Sequence, residues 1–424
     1  MSHFYFRSSP LKVRAIAGCA AYLVLLTASL PMLAQTKPAD KDQATQKPAP
    51  VMIGEEPVIT LQRPPVADKD RPQFLQATIL PGRGMAVLQI RAFLPGKGEI
   101  DVLNAPPLPE AEQLLNKKDD EWGNEVFKIG GAILLPYANR IRGTLSPDGK
   151  TISAVVAGKI VTLPANWSGK NPGAEKHSIH GLMRDSHFEH PILRNGSQDS
   201  AVMATLHAGD FDGHWLSDTD VEVETVLSHD AFDMTVTAKN VGTRLLPMSI
   251  GWHPYFLLPS GDREQVRLHI PSELRAVMNN YDDSFTTGRR VSVKGTPYDF
   301  SMPGGAPLDK QYLDDNFSDL NHGPNKTSVS EIVDPAAKYG LRLITMSPHI
   351  TCIQVYAPVD KNFVAIEPQF NLPDPYNRNW GNVDTGMVLL QPGQSVTWRV
   401  RLELFTPNPE PPASSGTASS GVKE

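Results

Sequence analysis

Five short segments of this 424-residue chain combine ionisable side chains with aromatics or turn formers. They are "PYANRIRG" (Pro136–Gly143), "HSIHGLMRD" (His177–Asp185), "GWHPYF" (Gly251–Phe256), "LDDNF" (Leu313–Phe317) and "VAIEPQF" (Val364–Phe370). Between them they offer the imidazoles of His180 and His253, the carboxyl of Glu367, the guanidinium of Arg140 beside the amide of Asn139, and the acid pair Asp314–Asp315. A carboxyl and an imidazole suit proton transfer near neutral pH, because general acid–base catalysis works best when the pKa values lie near the working pH. Histidine reaches that range without much tuning. A Glu beside apolar groups can be raised toward it. Taken singly, each segment also fits a purely structural role: a capped loop for Asn-Arg, a solvated strand end for Glu-Pro, a core imidazole for His253.

Such groups act together only if a rigid frame holds them, and the sequence around them reads as β. In "MAVLQIRAFLP", Ala86, Leu88, Ile90 and Ala92 alternate with Val87, Gln89, Arg91 and Phe93. The runs "VEVETVL" and "FDMTVTA" flank "SHDA", a hairpin pattern. "QVRLHI" alternates, and in "SVTWRVRLELF" Val396, Trp398, Val400, Leu402 and Leu404 share one face. A modest helical candidate surrounds "EAEQLLNKK". Short strands broken by 32 Gly and 38 Pro predict an all-β domain, a large antiparallel sandwich or barrel.

The ends carry a different texture. Arg7, Lys12 and Arg14 precede an apolar run from Ala15 to Leu33, and Ala34 offers a small-residue exit. This reads as a secretory signal over 1–34, with a periplasmic or secreted location to follow. A retained anchor is the alternative, since a span needs ~20 apolar residues. Cys19 has most of the apolar run after it instead of before it, so it does not fit a lipid-attachment box. Residues 35–57 read as a flexible tether and 406–424 as a polar tail, leaving a single domain over 58–405. Once the leader is removed, Cys352 is the remaining cysteine and reads as a small buried hydrophobe.

Several functions are disfavoured. The net charge of −6 and the absence of any basic run in the mature chain argue against nucleic acid or an anionic membrane as partner. No GxGxxG follows a strand, and no Walker loop, HExxH or Cys-rich metal spacing occurs. His177, His180, Asp185, His187, His190, His207 and His214 crowd one region, but their spacings match no standard site, so no metal or cofactor is expected.

The five segments, in this order, resemble the aldose 1-epimerase (galactose mutarotase) family from about residue 75 to 405. The likeness extends to "DTGMVLLQPGQSVTWRV", which is similar to that family's closing Gly-x-x-x-Leu-x-Pro-Gly turn and last strand. The resemblance implies a large antiparallel β-sandwich of the galactose mutarotase type and a small aldose as partner. It also implies a cofactor-independent isomerase that interconverts sugar α and β anomers by ring opening and closure. By the same resemblance Glu367 matches the general base and His253 the general acid. His180 matches the second histidine, near the ring oxygen. Arg140 with Asn139, and Asp314 or its neighbour Asp315, match the residues that bind sugar hydroxyls. Trp252, Tyr255 or Phe256 would offer a ring face to the sugar's C–H groups. Trp252 before His253, Phe370 after Glu-Pro-Gln and the single glycine of "HGLMRD" depart from the usual pattern and are similar to a divergent bacterial branch. Arg184 and Arg142 keep a hexose-6-phosphate 1-epimerase as an alternative, and a non-catalytic carbohydrate-binding protein is another.

Overall fold

Period-two alternation in the sequence becomes two large antiparallel sheets packed face to face in the computed structural model, which describes residues 49–66 and 68–408. The expected leader, the start of the tether and all but the first residues of the tail lie outside the described residues. A nine-stranded sheet runs, in spatial order, through 192–195, 199–209, 219–228, 231–240, 395–405, 339–345, 328–334, 267–269 and 306–307. The "SHDA" hairpin sits at its centre, with Thr225 facing Met234. The last strand, Ser395–Phe405, joins that hairpin to Tyr339–Thr345.

The other sheet has eleven strands and carries three of the five chemistry-bearing segments, those around His253, Asp314 and Glu367. Its order is 286–292, 274–278, 313–318, 352–357, 363–369, 251–257, 131–134, 86–94, 73–80 and 59–62, with 98–101 beside 86–94. Residues alternate across a strand, so one face of each sheet supplies the shared core. Trp252, Phe256, Ile353, Val355, Val364 and Ile366 from one sheet meet Phe232, Met234, Trp398 and Val400 from the other. Trp252 stacks on Phe232 across the interface, with centroids 6.2 Å apart. Trp398 Nε1 donates to the Pro368 carbonyl at 3.2 Å. Buried indoles need such partners, because an unpaired donor away from water costs about 1–3 kcal/mol.

The helical candidate is realised as Leu108–Leu115, two residues earlier than its apolar pattern suggests, after Pro107 sets its entry. Cys352 is fully buried, and burial pushes its thiol up to about 12. The tether ends sooner than expected. Met52–Ile53 pairs with Glu56–Pro57, and Ile53 is fully buried beside Leu80, Ala111 and Leu115. The Val51–Ile53 triplet is apolar enough to pack, and Gly54, at φ 60°, makes the tight turn that its polar flanks disguised.

Candidate active site

On the face of the eleven-stranded sheet turned away from the core, four adjacent strands make the floor of a cavity of about 360 Å³. In Gly251–Leu257, Trp252 and Phe256 point into the core while His253 and Tyr255 line the cavity. Next to it, Phe363–Gln369 sends Val364 and Ile366 inward and Glu367 to the cavity. Gly251 faces Gln369 and Tyr255 faces Ala365, so His253 and Glu367 fall midway between those pairings. His253 Nε2 stands 3.3 Å from Glu367 Oε1, with both side chains almost wholly buried. Glu367 in turn faces Gln354, and Asp314 faces Tyr356, extending the row across Cys352–Ala357 to Leu313–Ser318.

The wall opposite comes from a small sheet in which Arg140–Ile141 pairs with Lys176–Ile179. The His180 amide donates to the Asn139 carbonyl at 2.9 Å, which ties the two segments together. Gly181 follows His180 with φ 77°, and a Cβ there would stand 2.2 Å from the Leu135 carbonyl oxygen. That close approach is why the His is followed by glycine. It seats the His180 ring edge-on to His253, centroids 4.9 Å apart, with Phe127 packed 4.9 Å from His180 and 6.0 Å from His253.

Beside this pair lies a hydrogen-bonded network. Arg140 Nη2 meets Asp314 Oδ2 at 3.4 Å and Arg140 Nη1 donates to Asn139 Oδ1 at 3.1 Å. Asn139 Nδ2 donates to Gln354 Oε1 at 3.2 Å, and Gln354 Nε2 donates to Asp314 Oδ1 at 2.7 Å. Ser284 Oγ completes it with a 2.7 Å bond to Asp314 Oδ2. Asp315 alternates to the other face, where Arg275 and Tyr281 hold its carboxyl. Of the two acids, Asp314 is the one that lines the cavity.

All six singled-out residues, Asn139, Arg140, His180, His253, Asp314 and Glu367, line one cavity. A family model for aldose 1-epimerase matches residues 105–403. The chain belongs to the aldose 1-epimerase family. The uncharacterized protein YphB of Escherichia coli K12 is 26% identical over 188 residues, 42% of this chain and 57% of that protein, so the match spans a little over half of that relative. Among solved structures, a galactose mutarotase-like protein from Clostridium acetobutylicum gives a TM-score of 0.63 at 17% identity, covering 84% of this chain and 98% of that one. The GalM/aldose epimerase homologue from C. elegans gives 0.60 at 17%, covering 83% and 99%. Galactose 1-epimerase from Lactobacillus acidophilus gives 0.56 at 17%, also covering 83% and 99%. At those identities the likeness is one of fold.

In this aldose 1-epimerase family member the electrostatics of the cavity follow burial. Burial raises the Glu367 carboxyl well above the usual range; the Asp314 carboxylate adds to this and Arg140 opposes it. Burial pulls His253 down to about 3, with Asp314 opposing and the charges of Arg184 and Arg140 adding. His180 is lowered well below its ordinary value by burial, then by His253 and Arg184. Burial therefore favours the neutral form of both imidazoles and the protonated form of Glu367. Glu367 Oε2, His180 Nδ1 and His253 Nδ1 are buried without a protein partner, leaving valences that a hydroxyl-rich ligand can fill.

Sequence reasoning missed the lining residues Phe127, Tyr281, Tyr356 and Gln354 of this epimerase-family cavity, and Ser284, which supports Asp314 from behind. Gln354 and Tyr356 were readable as alternate positions in "CIQVY"; Ser284 and Tyr281 come from a loop with no periodic signal. The choice among the three aromatics is narrowed to one, and one expectation is corrected. Trp252 and Phe256 are core residues, because strand alternation turns them from the cavity and only Tyr255 of the three faces it. Arg184 and Arg142, the basis for a sugar-phosphate reading, do not line the cavity: Arg184 is buried behind Phe127 and Arg142 pairs with Glu175 in a half-exposed position. The histidine-rich stretch disperses likewise, His207 going to Asp220 and His214 to the Thr162 carbonyl.

Proposed function

We propose that this protein is an aldose 1-epimerase of free aldohexoses, using Glu367 as general base and His253 as general acid. The observation that carries the reading is the 3.3 Å His253–Glu367 contact, floored into a cavity whose other half is the Arg140–Asp314–Gln354–Asn139 network. The cavity volume lies within the range of small-molecule sites. In the reactive arrangement a proton has crossed from Glu367 to His253. The carboxylate then takes the proton from the C1 hydroxyl as the C1–O5 bond breaks, and the imidazolium protonates O5. Rotation about C1–C2 presents the other carbonyl face. Closure returns the proton on O5 to His253 and the proton on Glu367 to the new C1 hydroxyl, so atoms and charge balance over the cycle.

Mutarotation occurs spontaneously in water, so the catalyst needs only acid–base assistance, worth typically ~10²–10⁴-fold. Neither a metal nor a covalent intermediate is required by that chemistry. Arg140 and Asp314 orient the ring hydroxyls, His180 reaches the ring oxygen region, and Tyr255 offers its face to the sugar's C–H groups. A secretory leader over 1–34, as the sequence reading expects, would put the activity outside the cytoplasm, where free rather than phosphorylated sugars are met.

Polarimetry of freshly dissolved α-glucose and α-galactose tests this. Wild type is expected to speed the approach to anomeric equilibrium, and Glu367→Gln to leave the uncatalysed rate, a loss of ~10²–10⁴-fold. Sugar binding without acceleration by wild type across several aldoses would replace the enzyme with a binding protein.

A further inference from the structure

The His253–Glu367 pair sits at the buried end of the cavity, its side chains only 6% and 2% exposed. From there a row of aromatic rings leads outward along one wall. Tyr255, beside His253, meets Tyr356 with centroids 6.5 Å apart; Tyr356 meets Tyr312 at 6.2 Å, and Tyr312 meets Tyr281 at 5.1 Å. All four line the cavity. Exposure rises along the row, from 6% at Tyr255 through half-buried Tyr356 and Tyr312 to 38% at Tyr281. The outermost ring is held in place: the Tyr281 hydroxyl donates to Asp315 Oδ2 at 2.8 Å and lies 3.0 Å from the Tyr298 hydroxyl. Its neighbour Asp282 ties the same loop to the opposite wall, its carboxylate accepting the backbone amides of Lys170 and Asn171 at 2.7 and 3.2 Å. On that wall Trp167 adds a half-buried ring, 5.3 Å from Phe127. Apolar ring surface gathered at a polar-rimmed mouth marks a place where a ligand is held.

We propose that the cavity takes the reducing end of a glycosidically linked oligosaccharide, its reducing hexose at His253–Glu367 and the next sugar stacked at the mouth on Tyr312 and Tyr281. The inference rests on the epimerase reading for which end of the sugar enters. C1 must reach the buried pair, so whatever is joined to the hexose elsewhere extends toward the mouth. The row makes three ring-to-ring steps, more than a single pyranose covers. Tyrosine suits such a wall, because it offers a rigid, amphipathic face at low entropic cost and stacks on the C–H faces of sugars. The charged groups at the mouth are Lys128, Lys170, Lys361 and Asp282. Lys128 pairs with Glu125 at 2.7 Å and Lys361 with Asp360 at 3.1 Å, while Asp282 is taken up by the two amides. That leaves the exposed Lys170 as the one cation there without an ion pair among the described residues. With charge largely offset, the mouth fits a neutral, hydroxyl-rich extension better than an anionic one. The chemistry is unchanged: only the C1–O5 bond of the reducing residue opens and closes, and the glycosidic bond is neither made nor broken.

Glucose, maltose, cellobiose, lactose, isomaltose and melibiose test this, since all five disaccharides carry glucose at the reducing end. Sugars already at anomeric equilibrium undergo no net turnover, so calorimetry with the wild-type protein reads affinity whatever the activity. At least one disaccharide is expected to bind roughly tenfold tighter than glucose, two stacked rings contributing, and to gain by a similar factor in kcat/KM for mutarotation. Tyr312→Ala should cut that disaccharide-to-glucose ratio by roughly two- to tenfold. The proposal is overturned if no disaccharide exceeds glucose in affinity by about twofold, a margin below one aromatic contact. Tighter binding of glucose 6-phosphate than of every disaccharide also overturns it and gives the mouth to an anion. So does a disaccharide preference that Tyr312→Ala leaves intact. A preference in binding with no faster mutarotation of any sugar overturns the epimerase reading and leaves the two-sugar site standing; faster mutarotation with no preference does the reverse.

Discussion

The two halves of the cavity treat buried charge in opposite ways. In the Arg140–Asp314 half the charges have several partners: Asp314 accepts from Arg140, Gln354 and Ser284, and Arg140 bonds Asn139 as well, though its Nε is buried without a partner. In the His253–Glu367 half, the acid and imidazole have each other and little else, and Glu367 Oε2 and His253 Nδ1 have no protein partner. Burial is similar in both. What differs is the density of hydrogen-bond partners, and that decides whether a buried group stays charged or stays neutral with a transferable proton. Under the proposed function, that difference fits one half to hold a sugar's hydroxyls and the other to exchange protons with it.

The largest expected break in this contrast is on the satisfied side. Asp314→Ala leaves Arg140 buried without its carboxylate and strips two further donors of their acceptor. Removing one partner of a buried ion pair costs about 3–5 kcal/mol, so chemical denaturation should show a loss of that order. Sugar affinity should fall with it, while the His253–Glu367 pair stays in place. A loss below about 1 kcal/mol would mean that the network contributes little to holding Arg140 in its buried place.

The neutral side should respond with the other sign. Glu367 is raised by burial, so the folded state holds a proton that the unfolded chain gives up above its ordinary value of about 4.5. Its contribution to stability is fully present below that pH and is lost as pH rises toward the folded value. Gln cannot ionise, so Glu367→Gln should gain on wild type as pH increases above about 4.5, by at most about 1.4 kcal/mol per unit. His253 slopes oppositely, because its lowered value makes the unfolded chain bind the extra proton between its ordinary value and about 3. Parallel thermal melts of wild type and Glu367→Gln above about pH 4.5 check the sign; a constant gap would show Glu367 to be ionised in the folded protein.

How much of this was legible in the sequence depends on which physical pattern carried it. Period-two alternation gave the strands of "SVTWRVRLELF" and the "SHDA" hairpin directly, since one buried face leaves its mark on every second residue. The same rule, applied to "GWHPYF", already forbade all three aromatics from facing a sugar, and the structure selects Tyr255. The gathering of Asn139, Arg140, His180, His253, Asp314 and Glu367 into one place was not in any local pattern. It came from the order of motifs, because bringing position 140 within 3.4 Å of position 314 is a property of the fold. Ser284 and Phe127 stayed hidden for the same reason: a loop serine and a lone phenylalanine carry no periodicity. Arg184 looked like a phosphate ligand because sequence shows charge but not the direction a side chain takes.

The smallest expected effect sharpens the contrast inside a single strand. Tyr255 and Trp252 lie three residues apart in Gly251–Leu257, yet one ring faces the cavity 4.7 Å from His253 and the other is sealed against Phe232 and Phe256. Tyr255→Leu removes a ring face next to the proton-transfer pair while its methyl groups keep part of the packing. An aromatic contact of this kind is worth about 0.5–1.5 kcal/mol, so KM for an aldohexose should rise by roughly two- to tenfold with kcat changed less. Trp252→Leu acts through the core alone: stability should drop while KM stays near that of wild type. A KM that rises for Trp252→Leu and not for Tyr255→Leu would reverse the assignment of faces, and with it the claim that alternation on this strand divides sugar contact from core.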